Sequence, residues 1–195
     1  MKKNILIGIG GVVFLCVAFF VSVLADKTEG LLSGKKYVEI SVKDYGKISL
    51  ELDADVAPIT VTNFMKLVND GFYDGLTFHR IISGFVVQGG RNPNKNMPTI
   101  KGEFSNNGIQ NDISHERGVI SMARNDSDMN SASTQFFIVH QDSTYLDGNY
   151  AAFGYVTQGM DVVDELAKVE VNDKDGIVDE DKRPVIEYIK EVKNK

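Results

Sequence analysis

A single cysteine, Cys16, leaves the chain no partner for an internal disulfide and no cysteine-based zinc site. Histidine is scarce too. His79, His115 and His140 are the only three, and they lack the spacing of metal ligands, so no metal or cofactor is expected. Basic residues are outnumbered, with 21 Lys and Arg against 27 Asp and Glu and a net charge of −6. Lys2 and Lys3 are the only charges before Asp26, so the remainder carries −8. That balance lacks the basic face of a general nucleic-acid binder, and no nucleic-acid partner is expected. Four prolines stand against 18 glycines, which predicts many turns. Apolar side chains are plentiful, at 43% of 195 residues. That suffices for one domain with a full core and a short extra segment.

The extra segment is N-terminal. After Lys2 and Lys3, Ile5 to Leu24 runs 20 residues without a charge. As a helix it would be about 30 Å long, enough to cross a bilayer core. Two readings stand side by side over residues 1–25. Val23-Leu24-Ala25 fits a signal-peptidase site, with small residues at the first and third positions before the cut. The run is longer than the ~7–15 residues of a signal core, which favours an uncleaved transmembrane anchor. Both keep the lysines inside and put the folded domain outside the cytoplasm. Lipidation at Cys16 is disfavoured by the bulk of the preceding Leu15. Residues 26–36, polar with two glycines, read as a linker, and residues 37–195 as the domain.

In the domain, Val38, Ile40 and Val42 alternate with polar residues, as do Ile48, Leu50 and Leu52. Asp44-Tyr45-Gly46 joins the two as a hairpin loop with a glycine available for positive φ. Pro58 opens a helix with the apolar stripe Val61, Phe64, Met65 and Val68, and Gly71 ends it. Residues 91–116 are long, polar and weakly patterned, which marks a functional or mobile loop. Val119–Met122, Phe136–Val139 and Ala152–Val156 read as strands. Met160, Val163, Leu166 and Ala167 form a second helical stripe, and Pro184–Val192 a closing strand. Many short strands with two helices predict a mainly β, antiparallel barrel. Asn172 to Gly176 resembles part of a calcium loop. With Gly176 at position 6, Val171 and Lys182 fall where acids are required, so it reads as a solvated loop.

The organising stretch is Thr77 to Gly90, TFHRIISGFVVQGG. It reads as strand, tight turn, strand, with one guanidinium, Arg80, among large apolar residues. A charge there needs a partner or a task. The stretch resembles the signature of the cyclophilins, the peptidyl-prolyl cis/trans isomerases, in which FHR is followed by a short turn and F-x-x-Q-G-G. Ser121-Met122-Ala123-Arg124, Thr134-Gln135-Phe136-Phe137-Ile138, Leu146-Asp147-Gly148 and Phe153-Gly154 continue the likeness in the family's order. It covers roughly residues 37 to 193.

The resemblance implies a closed eight-stranded barrel capped by two α-helices and filled by side chains, with substrate bound outside. It implies that Arg80 is catalytic. The proline pocket falls on Phe85, Val86, Phe137 and Leu146. Gln88 holds the substrate backbone, Ala123 and Arg124 line the neighbouring groove, and Gln135 lies beside it. Periodicity alone would read Phe85, Phe137 and Leu146 as ordinary core. This chain also departs from the family. Val86 stands where methionine is frequent. Tyr145 replaces a tryptophan that takes part in binding cyclosporin, so weakened sensitivity is expected. Tyr150 replaces a common histidine, and Arg124 an asparagine, which would favour acidic or carbonyl contacts. His79, His115 and His140 read as packed, hydrogen-bonded histidines.

The reaction implied needs no nucleophile. Rotation about the X–Pro bond faces a barrier of ~18–20 kcal/mol and takes tens to hundreds of seconds unaided. A donor aimed at the twisted amide nitrogen binds the transition state better than either ground state, and arginine is always protonated. The expected protein is an extracytoplasmic, bacterial-type isomerase, monomeric, acting on proline-containing segments of unfolded or exported proteins. The alternative is a module that grips proline peptides without turnover. A small-molecule barrel explains neither Arg80 nor the motif order.

Overall fold

Strands β1 (Lys35–Val42) and β2 (Gly46–Asp53) pair in register from Lys35↔Asp53 to Val42↔Gly46. Their turn places both Asp44 (φ 66°) and Gly46 (φ 121°) in the left-handed region, which Asp tolerates and Gly adopts freely. These strands open the fold seen in a computed structural model, which describes residues 30–172 and 174–193. The helix expected within residues 1–25 lies outside the described residues. Among the described residues no helix is long and apolar enough to cross a membrane. Residues 32–36, expected as the end of a linker, are tied into the fold. Leu32 N–H donates to Thr62 Oγ1, Gly34 N–H to Asp55 Oδ1, and Lys35 and Lys36 already belong to β1.

Helix α1 (Pro58–Asn69) follows, then β3 (Phe78–Ile82), β4 (Val86–Gly89), β5 (Val119–Met122), β6 (Phe136–Val139), β7 (Ala152–Gln158), helix α2 (Met160–Leu166) and β8 (Ile186–Glu191). All eight strands form one antiparallel sheet in the order β3-β4-β6-β5-β7-β2-β1-β8. The two edges, β3 and β8, do not pair as a ladder. The residues just before them meet instead, through a Thr77–Val185 bridge and bonds from Phe78 N–H to Pro184 O (2.9 Å) and Ile186 N–H to Leu76 O (2.7 Å). Pro184 has no N–H to donate, which limits ladder formation there.

The strands alternate between two apolar clusters. Val38, Ile40, Ile48, Leu50, Leu52, Phe136 and Ile138 join the main core. Phe64 of α1 lies in it with ring centroids 5.2–5.6 Å from Tyr73, Phe136 and Phe153. Val86, Val119, Phe137 and Val139 point the other way, into a smaller cluster with Ile113, Leu146 and Ala152. Residues two apart share a face, so β4, β5 and β6 are covered on both sides.

The 91–116 segment is fastened by its own polar side chains. The buried Glu103 carboxylate accepts from Ile59 N–H (3.0 Å) and Thr60 N–H (2.7 Å), satisfying the first turn of α1, which has no side-chain cap of its own. Asn111 Nδ2 donates to Glu103 O and Ala152 O, both at 2.8 Å. Buried backbone groups that lack a strand partner are satisfied this way.

Candidate active site

Strand register sets the site. Arg80 lies opposite Gln88 on β4, Gln88 opposite Phe137 on β6, and Phe137 opposite Ser121 on β5. One row of side chains therefore crosses four strands, with the smaller apolar cluster beside it. Arg80 is fixed from two directions. Its Nη1 donates to Gln88 Oε1 at 3.2 Å, and its Nε to the carbonyl of Asp175 at 2.9 Å. Gln88 Nε2 in turn donates to Gln135 Oε1 at 3.1 Å. An arginine carries five N–H donors, so the guanidinium is oriented with donors to spare.

The Asp175 carbonyl belongs to the segment expected to be a solvated loop. That expectation fails for its backbone. Ile177 bridges to Arg80, Ile81 N–H donates to Gly176 O (2.7 Å), and Val178 N–H to His79 O (3.1 Å). The loop lies along the outer edge of β3. Gly176 has φ 76°, and a Cβ there would stand 2.4 Å from Ile81 O, so only glycine allows this approach.

Arg80 opens onto a depression of about 310 Å³ whose apolar lining is Phe85, Val86, Phe137 and Leu146. Gln88, Ala123, Arg124, Asp126 and Tyr150 complete it. A second depression of about 280 Å³ shares Gln88, Ala123 and Arg124, and adds Gln135, Asn125, Ser131 and Ser133. The sequence-predicted residues therefore meet in these two depressions, with one exception. Tyr145 is 70% exposed and stacks on Phe85 (5.8 Å, 26°) without lining either.

Arg124 is engaged within the chain. Its Nε donates to Asn149 O (2.8 Å), and its Nη1 to Asn125 O (2.9 Å) and Asp126 O (3.2 Å). Its guanidinium lies over the Tyr150 ring at 4.8 Å and the Phe104 ring at 5.5 Å. It holds the pocket wall rather than reaching outward. Tyr150 stands edge-on to Phe137 (5.8 Å, 83°) and donates its hydroxyl to Asp126 Oδ1 at 3.1 Å. Burial, then that carboxylate, raises the Tyr150 pKa, so the hydroxyl stays a donor.

Behind Phe137 the buried His115 ring is stacked at 6.0 Å. Its Nδ1 is 2.7 Å from Asp147 Oδ1 and its Nε2 3.0 Å from Ser121 Oγ. Burial lowers its pKa against the opposite pull of Asp147, which favours the neutral ring. The Ser–His–Asp order mimics a hydrolase triad, yet Ser121 has no exposed surface and lines neither depression. An acyl substrate has no access to it, so these three residues form a support for Phe137. His79, beside Arg80 on β3, is buried, and its Nδ1 has no hydrogen-bond partner among the described residues. Burial, helped by the Arg91 charge, pushes its pKa down to about 4.

Sequence reasoning missed Asp126, the Asp175 carbonyl and Glu103. Only Asp126 had a signal, its place two residues beyond Arg124 in the groove motif. Among the described residues no group of His, Cys, Asp and Glu could hold a metal ion.

An arginine fixed above an apolar pocket on the outer face of an eight-stranded antiparallel sheet suits a protein that handles an uncharged ring beside a peptide bond. The model of the cyclophilin-type peptidyl-prolyl cis-trans isomerases matches residues 37–191. The chain belongs to that family. It is 44% identical over 135 residues to peptidyl-prolyl cis-trans isomerase A of Dickeya dadantii, covering 64% of this chain and 68% of the relative. It is 43% identical over 134 residues to peptidyl-prolyl cis-trans isomerase B of Bacillus subtilis, covering 67% and 90%. A Cryptosporidium parvum cyclophilin-type isomerase, solved in the presence of the dipeptide Ala-Pro, superposes with a TM-score of 0.71 at 26% identity, covering 82% of this chain and all of that one.

Proposed function

We propose that this peptidyl-prolyl cis-trans isomerase works by hydrogen bonding from Arg80 to the amide nitrogen of a twisted X–Pro bond. The proline ring would sit on Phe85, Val86, Phe137 and Leu146, while Gln88 holds both Arg80 and the substrate backbone. The observation that carries this reading is the two-point fixation of the Arg80 guanidinium at the pocket. A preorganised donor costs no reorganisation as the amide twists. A hydrogen bond to a charged donor contributes ~1.5–3 kcal/mol, roughly ten- to a hundredfold in rate. Positioning and exclusion of water by the apolar lining supply the rest.

The partners in this reading are proline-containing polypeptides, consistent with the Ala-Pro dipeptide present with the Cryptosporidium relative. We further propose exported proteins as clients and an extracytoplasmic site of action, because Lys2 and Lys3 precede the uncharged run Ile5 to Leu24. The domain would work as a monomer without nucleic acid, and the Thr77–Val185 bridge would be the seam that closes the sheet into a barrel. Tyr145, beside Phe85 at the rim, would weaken cyclosporin binding.

The competing reading is a proline-peptide module without turnover. The retained Arg80–Gln88 pair favours the enzyme, since a binder has no need of a donor aimed at the amide nitrogen. Saturable acceleration of X–Pro exchange, followed by NMR, separates the two. Binding with an unchanged exchange rate would sink the enzyme reading.

A further inference from the structure

Resting on that reading of the pocket, we propose that Asp126 makes the enzyme prefer substrates with a cationic side chain, Lys or Arg, next to the proline. Asp126 is the one carboxylate lining the depression that holds Arg80. Its Oδ1 is anchored by the Tyr150 hydroxyl, and among the described residues the carboxylate has no other hydrogen-bond or ion-pair partner. Asp126 is an exposed residue, and no hydrogen bond among the described residues occupies its second oxygen.

The two arginines of the pocket do not cancel this charge by pairing with it. Arg80 is turned toward Gln88 and Asp175 O. Arg124 directs its donors at three backbone carbonyls, including that of Asp126 itself. That last bond holds the Asp126 backbone in place. The residues that follow reinforce it. Asn125 Oδ1 accepts from Ser127 N–H (3.2 Å) and Oγ (3.0 Å), Asn125 N–H donates to Ser131 Oγ (2.8 Å), and Ser131 Oγ donates to Asp128 O (2.6 Å). The carboxylate is therefore presented from a turn with internal bonds at both ends.

A bound peptide places the side chains flanking its proline over the rim of the pocket. An ammonium or guanidinium there meets an anchored carboxylate, and a carboxylate there meets repulsion. Water screens both, so discrimination is modest, about fivefold between Lys and Glu at low ionic strength, and smaller in salt.

The test uses the full-length chain and peptides that differ only in Lys, Gln or Glu beside the proline, varied before and after it in two series. Exchange rates by NMR and dissociation constants by titration are read in the same samples. The proposal expects kcat/KM and affinity to rank Lys above Gln above Glu in at least one series. It expects the Lys-to-Glu ratio to fall toward one in Asp126→Asn and in high salt. A ratio of one in the wild type overturns it. So does a ratio that persists in Asp126→Asn, or one abolished by Asp128→Asn while Asp126→Asn leaves it intact. Charge-ranked affinity with no acceleration of any peptide would support this inference while refuting the isomerase mechanism on which it is framed.

Discussion

Arg80 and Gln88 face each other across the β3–β4 hairpin, joined by a 3.2 Å bond from Nη1 to Oε1. Because Gln88 is itself held by Gln135, the guanidinium is the end of a relay of three side chains. Replacing Gln88 by Ala cuts the relay at its centre. We expect kcat/KM to fall by about tenfold, the worth of one charge-assisted bond. Gln135→Ala should lose less, and neither variant should unfold, which circular dichroism checks beside the exchange assay.

The Asp175 carbonyl reaches Arg80 only because Gly176 packs against Ile81. Gly176→Ala adds a Cβ into that contact at a left-handed φ. The expected result is about 1–3 kcal/mol of destabilisation. It should come with a loss of activity larger than the unfolded fraction explains. Denaturant titration and exchange kinetics on the same sample measure both. Full activity per folded molecule would show that the loop does not orient Arg80.

Glu103 satisfies two N–H groups of the first turn of α1, that of the half-buried Ile59 and that of the buried Thr60, from 44 and 43 residues further along the chain. Glu103→Ala removes both acceptors, so about 1–3 kcal/mol of stability should be lost. For a chain of this size that corresponds to about 2–4 °C in Tm per kcal/mol. Thermal unfolding checks it, and activity below the transition should be nearly unchanged.

Stability should fall as pH drops from about 6.5 toward about 4, because His79 is held neutral in the fold with a pKa of about 4. Above ~6.5 neither state carries the proton and stability is complete. Below it the unfolded chain binds a proton that the native state refuses, at about 1.4 kcal/mol per pH unit, until the native ring titrates too. The buried His115, also lowered, acts in the same sense. Urea titrations at pH 7.5 and 4.5 measure the difference, which His79→Leu should shrink. An identical pH dependence in that variant would clear His79.

Local features of this fold were legible in the sequence. The Asp44–Gly46 turn, the helix from Pro58 and the strands Val119–Met122 and Phe136–Val139 follow from periodicity and turn chemistry, and all are present. Arg80 and its pocket were legible through motif order, since periodicity could not tell the outer cluster of Phe137 and Val139 from the core cluster of Phe136 and Ile138. Contacts that cross long separations were not. Nothing near Glu103 announces the first turn of α1, and nothing near Asp175 announces Arg80, because both are backbone bonds made by tertiary approach. Arg124 was expected to line the groove and favour acidic or carbonyl contacts, and its partners are carbonyls of this chain, which only the fold brings beside it. His115 was correctly read as packed and hydrogen bonded, while its partners, Asp147 and Ser121, emerged only with the sheet register.

The most direct test of the central claim compares X–Pro exchange catalysed by the wild type, Arg80→Lys and Arg80→Ala, at equal folded concentration. The account predicts at least tenfold loss of kcat/KM in Arg80→Ala, with peptide affinity changed far less, because the bond to the amide nitrogen forms in the transition state. Arg80→Lys should recover only part of that loss, since an ammonium lacks the fork that Gln88 and the Asp175 carbonyl hold in place. An Arg80→Ala variant that is folded and isomerises as fast as the wild type would contradict the account.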